Sequence, residues 1–592
     1  MSKPEEHILA ANGLHLLGII RSDIDLIRRA LSLSREAPFL QSLADALSRR
    51  AQTEEAIAAL LEAIALSTRP EKPNVEYFVQ SLERLFQTAL AAKSKLGMER
   101  IAELAKISAD SMCPQFAPES APKHQESLRG VVEKWYGALL EAKALDALLD
   151  LFRGSSCLRD GNFRLRRIQQ IGVLELQGRI EQVLEESDRA LSEIYPWPEY
   201  SGLQRQIRQV ANSASEVPNG PLIAFFCYEY AQEWWPNWGP RSAHEGGMGG
   251  SEEAVVFLSQ ELVRLGFRVE VYADAPRDDW GVTPSSHGVI WLPHGAFDPN
   301  SEVAPDVFVS WRYFNSVFLG KRAKRRVLWM HDLVVRQPKF WDAFQASSKL
   351  DMVLGGSDFH LSKLSLSEQL GASAAVLRNG LDSAFFQDGP NLSNEIIYAS
   401  SPSRGLETLL DMWPSIRSAV PNAVLRIYYG FTAAFLTWGA QNIPSFDAWL
   451  STMQSRIREL DGVVYVGAVS HTELAFAYAR AGFVVYPTTF SETSCISLMK
   501  AMAMGSIPIT SRYEKSALEE LTTGWDLGPE PRGRVIGRDA SYAAEFTTVV
   551  IGAMRAQGGE MQRHRAAMKV WARENLTWAA SAKEFVRLTG LG

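Results

Sequence analysis

The stretch that decides the fold begins PLIAFFCYEY (221–230), continues after an insertion AQEWWPNWGPRSAHE (231–245) as GGSEEAVVFLSQELVRLG (249–266), and closes on FRVEVYAD (267–274). The first piece is a short apolar run bounded by turn residues, and the third is another. Between them lies an amphipathic segment that stops at Gly266, as helices commonly stop at glycine. Strand, helix, strand in this order predicts a βαβ unit, with a right-handed crossover and a parallel sheet.

The alternation continues downstream. Further strands are predicted at DVFVSW (306–311), RRVLWMH (325–331), DMVLGGS (351–357) and SAAVLRN (373–379). A second set begins at EIIYAS (395–400), followed by helix LETLLDMWPSIRSAV (406–420) and strands AVLRIYYG (423–430) and GVVYVGA (462–468). It ends with helix HTELAFAYARA (471–481), strand FVVYPTT (483–489), helix CISLMKAMAMG (495–505) and strand IPIT (507–510). Two Rossmann-like units facing a cleft are expected, and ligands in such sheets bind beyond the carboxyl ends of the strands.

Upstream the character changes at ANSASEVPNGP (211–221), a linker-like cluster of small residues, Pro and Gly. Before it, apolar residues recur at helical spacing, as at Leu140, Ala144, Ala147, Leu148 and Leu151, or Val183, Ala190, Leu191 and Ile194. One fragment, 172–196, faintly matches a tetratricopeptide repeat, so an array of degenerate helical hairpins is expected. The division is then 1–212 all-helical, 213–386 and 387–575 Rossmann-like, and 576–592 a closing helix.

Composition agrees with three folded domains: 592 residues, 46% hydrophobic and 22% charged. The net charge of −7 disfavours non-specific nucleic-acid binding. The run KRAKRR (321–326) is the one basic candidate, and its plain reading is a solvated strand entry. Cys113, Cys157, Cys227 and Cys495 form no C-x-x-C pair or metal-like cluster. A reducing, cytoplasmic setting is expected from this cysteine usage. The acidic start MSKPEEHILAANGLHLLGII does not read as a signal peptide, and no apolar run is long enough to span a bilayer.

The chemistry should lie in strand-to-helix turns. GGMGGSEE (246–253) brings glycine backbone and a helix N-terminus together, which suits an anion. The long insertion before it departs from a dinucleotide fingerprint. The segment from Trp238 to Tyr272 resembles the first Rossmann unit of the family-four retaining glycosyltransferases, which have the GT-B fold. VVYPTTFSETSCISLMKAMAMGSIPIT (484–510) is similar to that family's signature, His331-Asp332 resembles its active-site histidine, and VLRNGLDSAFF (376–386) resembles its interdomain stretch.

The resemblance spans roughly residues 221–590. It implies Glu492 and His331 at the reaction centre, with Gly249, Gly250, Arg404, Lys500, Ser494 and Cys495 on the donor side. It also implies a nucleotide-diphosphate sugar as donor substrate, no cofactor and no active-site metal. The family's second signature Glu falls on Lys500, and one of its diphosphate cations has become a small residue in YASSPSRGLETLL (398–410). Lys500 is the candidate to replace that charge.

Plain alternatives stand beside each residue: a structural histidine at 331, a helix-start carboxylate at 492, a solvated arginine at 404 and a packed thiol at 495. Asp23/Asp25 and Asp278/Asp279 read as solvated faces. Trp234, Trp235 and Trp238 read as a hydrophobic plug against the helical domain or as a sugar or peptide acceptor platform. A helical domain of about 200 residues favours a protein acceptor docking there and gives a route to oligomers, with saccharide- or lipid-linked acceptors as alternatives. A non-catalytic helical adaptor carrying a nucleotide-sugar-binding module is the reading from another class.

Overall fold

The computed structural model describes most of residues 23–67, scattered positions at 11–15, 80–88 and 182–191, and residues 195–592 apart from 228–236, 246–247, 335, 372, 523, 531–538 and 557. The chain divides into two compact units, Met1–Ala190 and Leu191–Gly592.

In the first unit the described residues build α1 (Ile24–Leu33), α2 (Ala37–Arg49) and α3 (Thr53–Ser67). Asp23 caps α1 by accepting the backbone N–H groups of Asp25 and Leu26, so this carboxylate is a helix cap. Phe39, Leu43 and Leu47 of α2 are buried, as are Ile57, Leu60 and Ile64 of α3, and the two helices pack on each other. Residues 140–151 and most of the repeat-like fragment lie outside the described residues.

The second unit holds two parallel sheets. The first runs β3-β2-β1-β4-β5-β6-β7, built from β1 (Leu222–Cys227), β2 (Arg268–Ala273), β3 (Ile290–Pro293), β4 (Val307–Trp311), β5 (Arg325–Trp329), β6 (Met352–Gly355) and β7 (Ala374–Val376). The second runs β10-β9-β8-β11-β12, from β8 (Leu392–Ser400), β9 (Val424–Tyr429), β10 (Val463–Gly467), β11 (Ala481–Tyr486) and β12 (Ile507–Thr510). These are two Rossmann-like domains, as the GT-B expectation requires. Every residue of β1 and of β11 is buried, which explains why both read as unbroken apolar runs.

Strand order reverses between β1 and β4 in the first sheet and between β8 and β11 in the second. Ligand crevices open at such reversals. The chain leaving β1 leads into α5 (Gly250–Arg264), the chain leaving β8 leads through 402–404 into α7 (Leu406–Ala419), and the chain leaving β11 leads into α11 (Ile496–Ala503).

Three features depart from the sequence reading. β3 was not anticipated, because Ile290–Pro293 is only four residues long and abuts a buried turn. Between β9 and β10 stand two helices, α8 (Ala433–Asn442) and α9 (Phe446–Glu459), where two consecutive strands were expected. Finally, α4 (Leu203–Ala211) belongs with the first sheet: Arg208 donates from Nε and Nη2 to Glu270, each at 2.8 Å, and Gln204 donates to the Tyr272 hydroxyl. The division between units therefore falls some twenty residues before the expected boundary at 212.

The last helix, α12 (Trp578–Thr589), returns to pack against α5. Its Trp578 is fully buried, and its Phe585 ring lies 6.1 Å from that of Phe225 in β1. Among the described residues, no helix is long and apolar enough to cross a membrane.

Candidate active site

The turns at the two strand-order reversals meet. Gly249 takes an extended conformation as the cap of α5, and Gly250 opens its first turn. A Cβ on Gly250 would lie 3.3 Å from the Ile496 side chain of α11, so the α5 N-terminus faces the second domain at close range. The first turn of this 15-residue helix, with the positive end of its dipole, therefore lies at this junction.

From the second domain, Glu492 sits on the loop between β11 and α11 and is 6% exposed. Its Oε1 accepts from the Tyr486 hydroxyl at 2.6 Å and from Arg404 Nη1 at 3.2 Å. The Arg404 guanidinium carbon lies over Phe490, 3.7 Å from the ring centroid, and the side chain is 36% exposed. The next residue, Gly405, has φ +115°, and a Cβ there would lie 2.4 Å from the Pro487 carbonyl oxygen. Only glycine fits that turn, and it sets Arg404 beside the Glu492 loop.

From the first domain, His331 follows β5. Its ring packs on Trp329 (centroids 4.6 Å apart) and Trp311 (6.0 Å), and its enclosed Nε2 has no hydrogen-bond partner among the described residues. Burial, with the nearby Arg312 charge and His360 adding to it, holds the His331 pKa well below the usual histidine value. The ring is a neutral imidazole at neutral pH. The domains touch at this point: Thr493 Oγ1 donates to the His331 carbonyl at 2.9 Å, and Ser357 Oγ donates to the Thr493 carbonyl at 2.8 Å. Ser494 Oγ accepts from Asn379 in the interdomain stretch at 3.1 Å.

Glu492, His331, Arg404, Gly249, Gly250 and Ser494 are thus collected at one junction. Two residues have other surroundings. The Lys500 ammonium is buried against Glu253 Oε2 at 2.7 Å, so it neutralises a carboxylate of the facing domain. Cys495 is half-buried at the cap of α11, and burial pushes its thiol pKa up, which keeps it protonated.

Sequence reasoning missed Arg312. It sits at the carboxyl end of β4 with φ +64°, a strained conformation for a side chain of this size. It binds Asp332 through Nε (2.7 Å) and Nη2 (2.9 Å), and Glu252 through Nη1 (3.2 Å). Its one sequence signal is position, directly after the predicted strand DVFVSW.

Glu252 of the glycine-rich turn therefore serves Arg312. Burial raises its pKa, with Arg312 opposing the shift.

One of the other expectations is corrected here. Asp279 is not solvated: it is 1% exposed and accepts from Arg241 at 2.6 Å. Trp238 is buried in the core of the first sheet against Trp291 and Trp311, whereas Trp234 and Trp235 lie outside the described residues. Within KRAKRR, Lys324 pairs with Asp306, and Arg322 and Arg326 donate to backbone carbonyls. Among the described residues, no group of three or more His, Cys, Asp or Glu is placed to hold a metal ion.

Several solved structures align with this chain at low similarity. A mutant of the O-GlcNAc transferase of Thermobaculum terrenum aligns over 100% of this chain and 98% of its own, at 13% identity and a TM-score of 0.41. Sucrose-phosphate synthase from Thermosynechococcus elongatus aligns over 62% of this chain and 98% of its own, at 16% identity and 0.43. Anabaena HepE in complex with UDP and glucose aligns over 63% and 100%, at 11% and 0.44. At these identities and scores the alignments carry no statement about activity. No family model matches the chain, and no curated protein matches it.

Proposed function

We propose that the protein is a retaining glycosyltransferase that moves a hexosyl group from a nucleotide-diphosphate sugar to an acceptor, with a protein as the leading acceptor class. The observation that carries this reading is the junction at Thr493. There a carboxylate loop of one Rossmann domain is bonded to the neutral-histidine turn of the other, beside a helix N-terminus and Arg404.

In the proposed reaction the bond between the anomeric carbon and the β-phosphate oxygen breaks, and its electrons leave with the phosphate. The acceptor hydroxyl oxygen bonds the anomeric carbon on the same face and passes its proton to the departing phosphate oxygen. The α5 N–H groups and Arg404 stabilise the charge that grows on the phosphate. Glu492 and His331 hold sugar hydroxyls from opposite walls: the carboxylate accepts, and the neutral imidazole offers Nε2. Charge is met by the helix and the guanidinium, so the reaction is expected to proceed without a metal.

The buried Lys500–Glu253 pair favours the second reading, a non-catalytic adaptor, because it occupies a position the family uses for its donor. The two are separated by incubating the full chain with UDP-, GDP- and ADP-sugars in the presence of EDTA and following donor hydrolysis and transfer. Turnover of one donor, unchanged by the chelator, is expected. Absence of turnover with every donor refutes the transferase reading. Saccharide, lipid-linked and protein acceptors are then distinguished by mass spectrometry of the product.

A further inference from the structure

The turn that carries His331 is held from three directions. Its carbonyl at His331 is bound by Thr493, and the Asp332 carboxylate is bound twice by Arg312. The third hold is on the Asp332 carbonyl, and it comes from His360, a fully buried histidine in the short helix α6 (Asp358–Lys363). Its Nε2 lies 2.9 Å from that carbonyl oxygen, while Nδ1 lies 3.1 Å from the Gly356 backbone nitrogen.

These two partners fix the tautomer. A backbone N–H can only donate and a carbonyl can only accept, so the proton is on Nε2 and the lone pair on Nδ1. The ring therefore bridges two turns, 331–332 after β5 and 356–357 after β6. Both turns also touch the Glu492 loop: Ser357 donates to the Thr493 carbonyl and accepts the His360 N–H at 3.0 Å. A Cβ on Gly356 would lie 3.2 Å from both Ser494 Cβ and the Thr493 carbonyl oxygen.

We propose that His360 is a positioning residue of the transfer reaction: through its Nε2–H bond to the Asp332 carbonyl it sets the His331 imidazole relative to the Glu492 loop. The inference rests on the transferase reading. Nothing in the Rossmann fold requires a histidine here, and the ring is fully buried, so it acts through its two backbone partners. Burial lowers its pKa, consistent with the neutral bridging form.

Two amides dissect the two bonds. In His360→Gln the side-chain nitrogen reaches the place of Nε2 and keeps the donor to Asp332. In His360→Asn the side-chain oxygen takes the place of Nδ1 and keeps only the acceptor for Gly356. With whichever donor the assay proposed above identifies, kcat is expected to fall at least tenfold in His360→Asn and to stay within threefold of wild type in His360→Gln, with donor KM within threefold in both.

Equal losses in the two variants, or a kcat loss that simply follows the drop in Tm, would overturn the proposal. A wild-type chain without turnover would remove the transferase reading. In that case ring nitrogen NMR of His331 decides: a shift in His360→Asn but not in His360→Gln supports the positioning bond, and no shift in either overturns it.

Discussion

Lys500→Met gives the most direct measure of what joins the two Rossmann domains. The substitution keeps the length and apolar body of the side chain and removes the ammonium. Lys500 is 6% exposed and Glu253 2%, so the Glu253 carboxylate would be left buried, with His471 Nε2 at 3.7 Å as its nearest basic group. Removing one partner of a buried pair costs about 3–5 kcal/mol, because the other charge stays uncompensated. For a unit of about 400 residues, an unfolding entropy near 2.1 cal/mol/K per residue gives about 0.8 kcal/mol/K. The expected loss in Tm is therefore about 4–6 °C, read by calorimetry of the full chain. Replacing both charges, as in Lys500→Met with Glu253→Leu, should return most of that loss, since a well-packed apolar pair is often as stable as a buried ion pair. A single variant within 1 °C of wild type would refute the reasoning, as would a double variant no better than the single.

Other outcomes follow from the same geometry. Glu492→Ala should lower transfer by more than about a hundredfold, the scale of losing a preorganised charged contact at a reacting sugar, with circular dichroism unchanged; near-normal rates would exclude Glu492 from the reaction centre. Gly405→Ala places a Cβ against the Pro487 carbonyl in a left-handed turn, so donor binding measured by calorimetry should weaken at least tenfold, and an unaltered affinity would show that the turn does not set Arg404. For acid sensitivity, both His331 and His360 have folded pKa values below the ordinary one. Unfolded imidazoles take up protons below about pH 6.5 while the folded ones resist, so stability is full above that pH and declines beneath it, by up to about 1.4 kcal/mol per pH unit for each group. His360→Gln should flatten the fall in Tm between pH 7.5 and 5.5, and an unchanged slope would contradict the assignment.

What was legible in the sequence follows a physical divide. Strands buried on both faces, such as LIAFFC and FVVY, announce themselves because every residue is apolar, and helices that end at glycine announce their limits. The turns at the strand-order reversals were legible too, because glycines and a signature carboxylate cluster there. Contacts made across the cleft were not. Lys500 and Glu253 stand 247 positions apart, and nothing local to either one states that they meet. Arg312 was hidden differently, since its strained backbone is stabilised by Asp332 and Glu252 from two other turns. His360 reads as an ordinary member of a short helix until Gly356 and Asp332 are seen on either side of it. The helices α8 and α9 were missed because the aromatic and small residues around 431–449, such as the buried Phe435 and Phe446, carry a weak helical period.

The net charge of −7 acquires a local meaning in this setting. Nearly every cation near the junction is already matched to a carboxylate: Arg312 to Asp332 and Glu252, Lys500 to Glu253, and Arg378 to Glu520 at 3.4 Å. Under the proposed transferase reading, an incoming diphosphate would take its positive partner from among these. The Arg312 and Lys500 side chains are 12% and 7% exposed, and each is bound to a buried carboxylate, so freeing either one would strand a charge. Arg404 differs in exposure, and its buried carboxylate has a second donor in Tyr486. It is 36% exposed, makes one 3.2 Å contact to Glu492, and rests on an aromatic face that can support it in either orientation. Turning toward a phosphate would leave Glu492 still bonded to the Tyr486 hydroxyl and ready to accept a sugar hydroxyl. The same movement would supply the donor with a cation and release the carboxylate for the sugar, so binding and activation of Glu492 become one event.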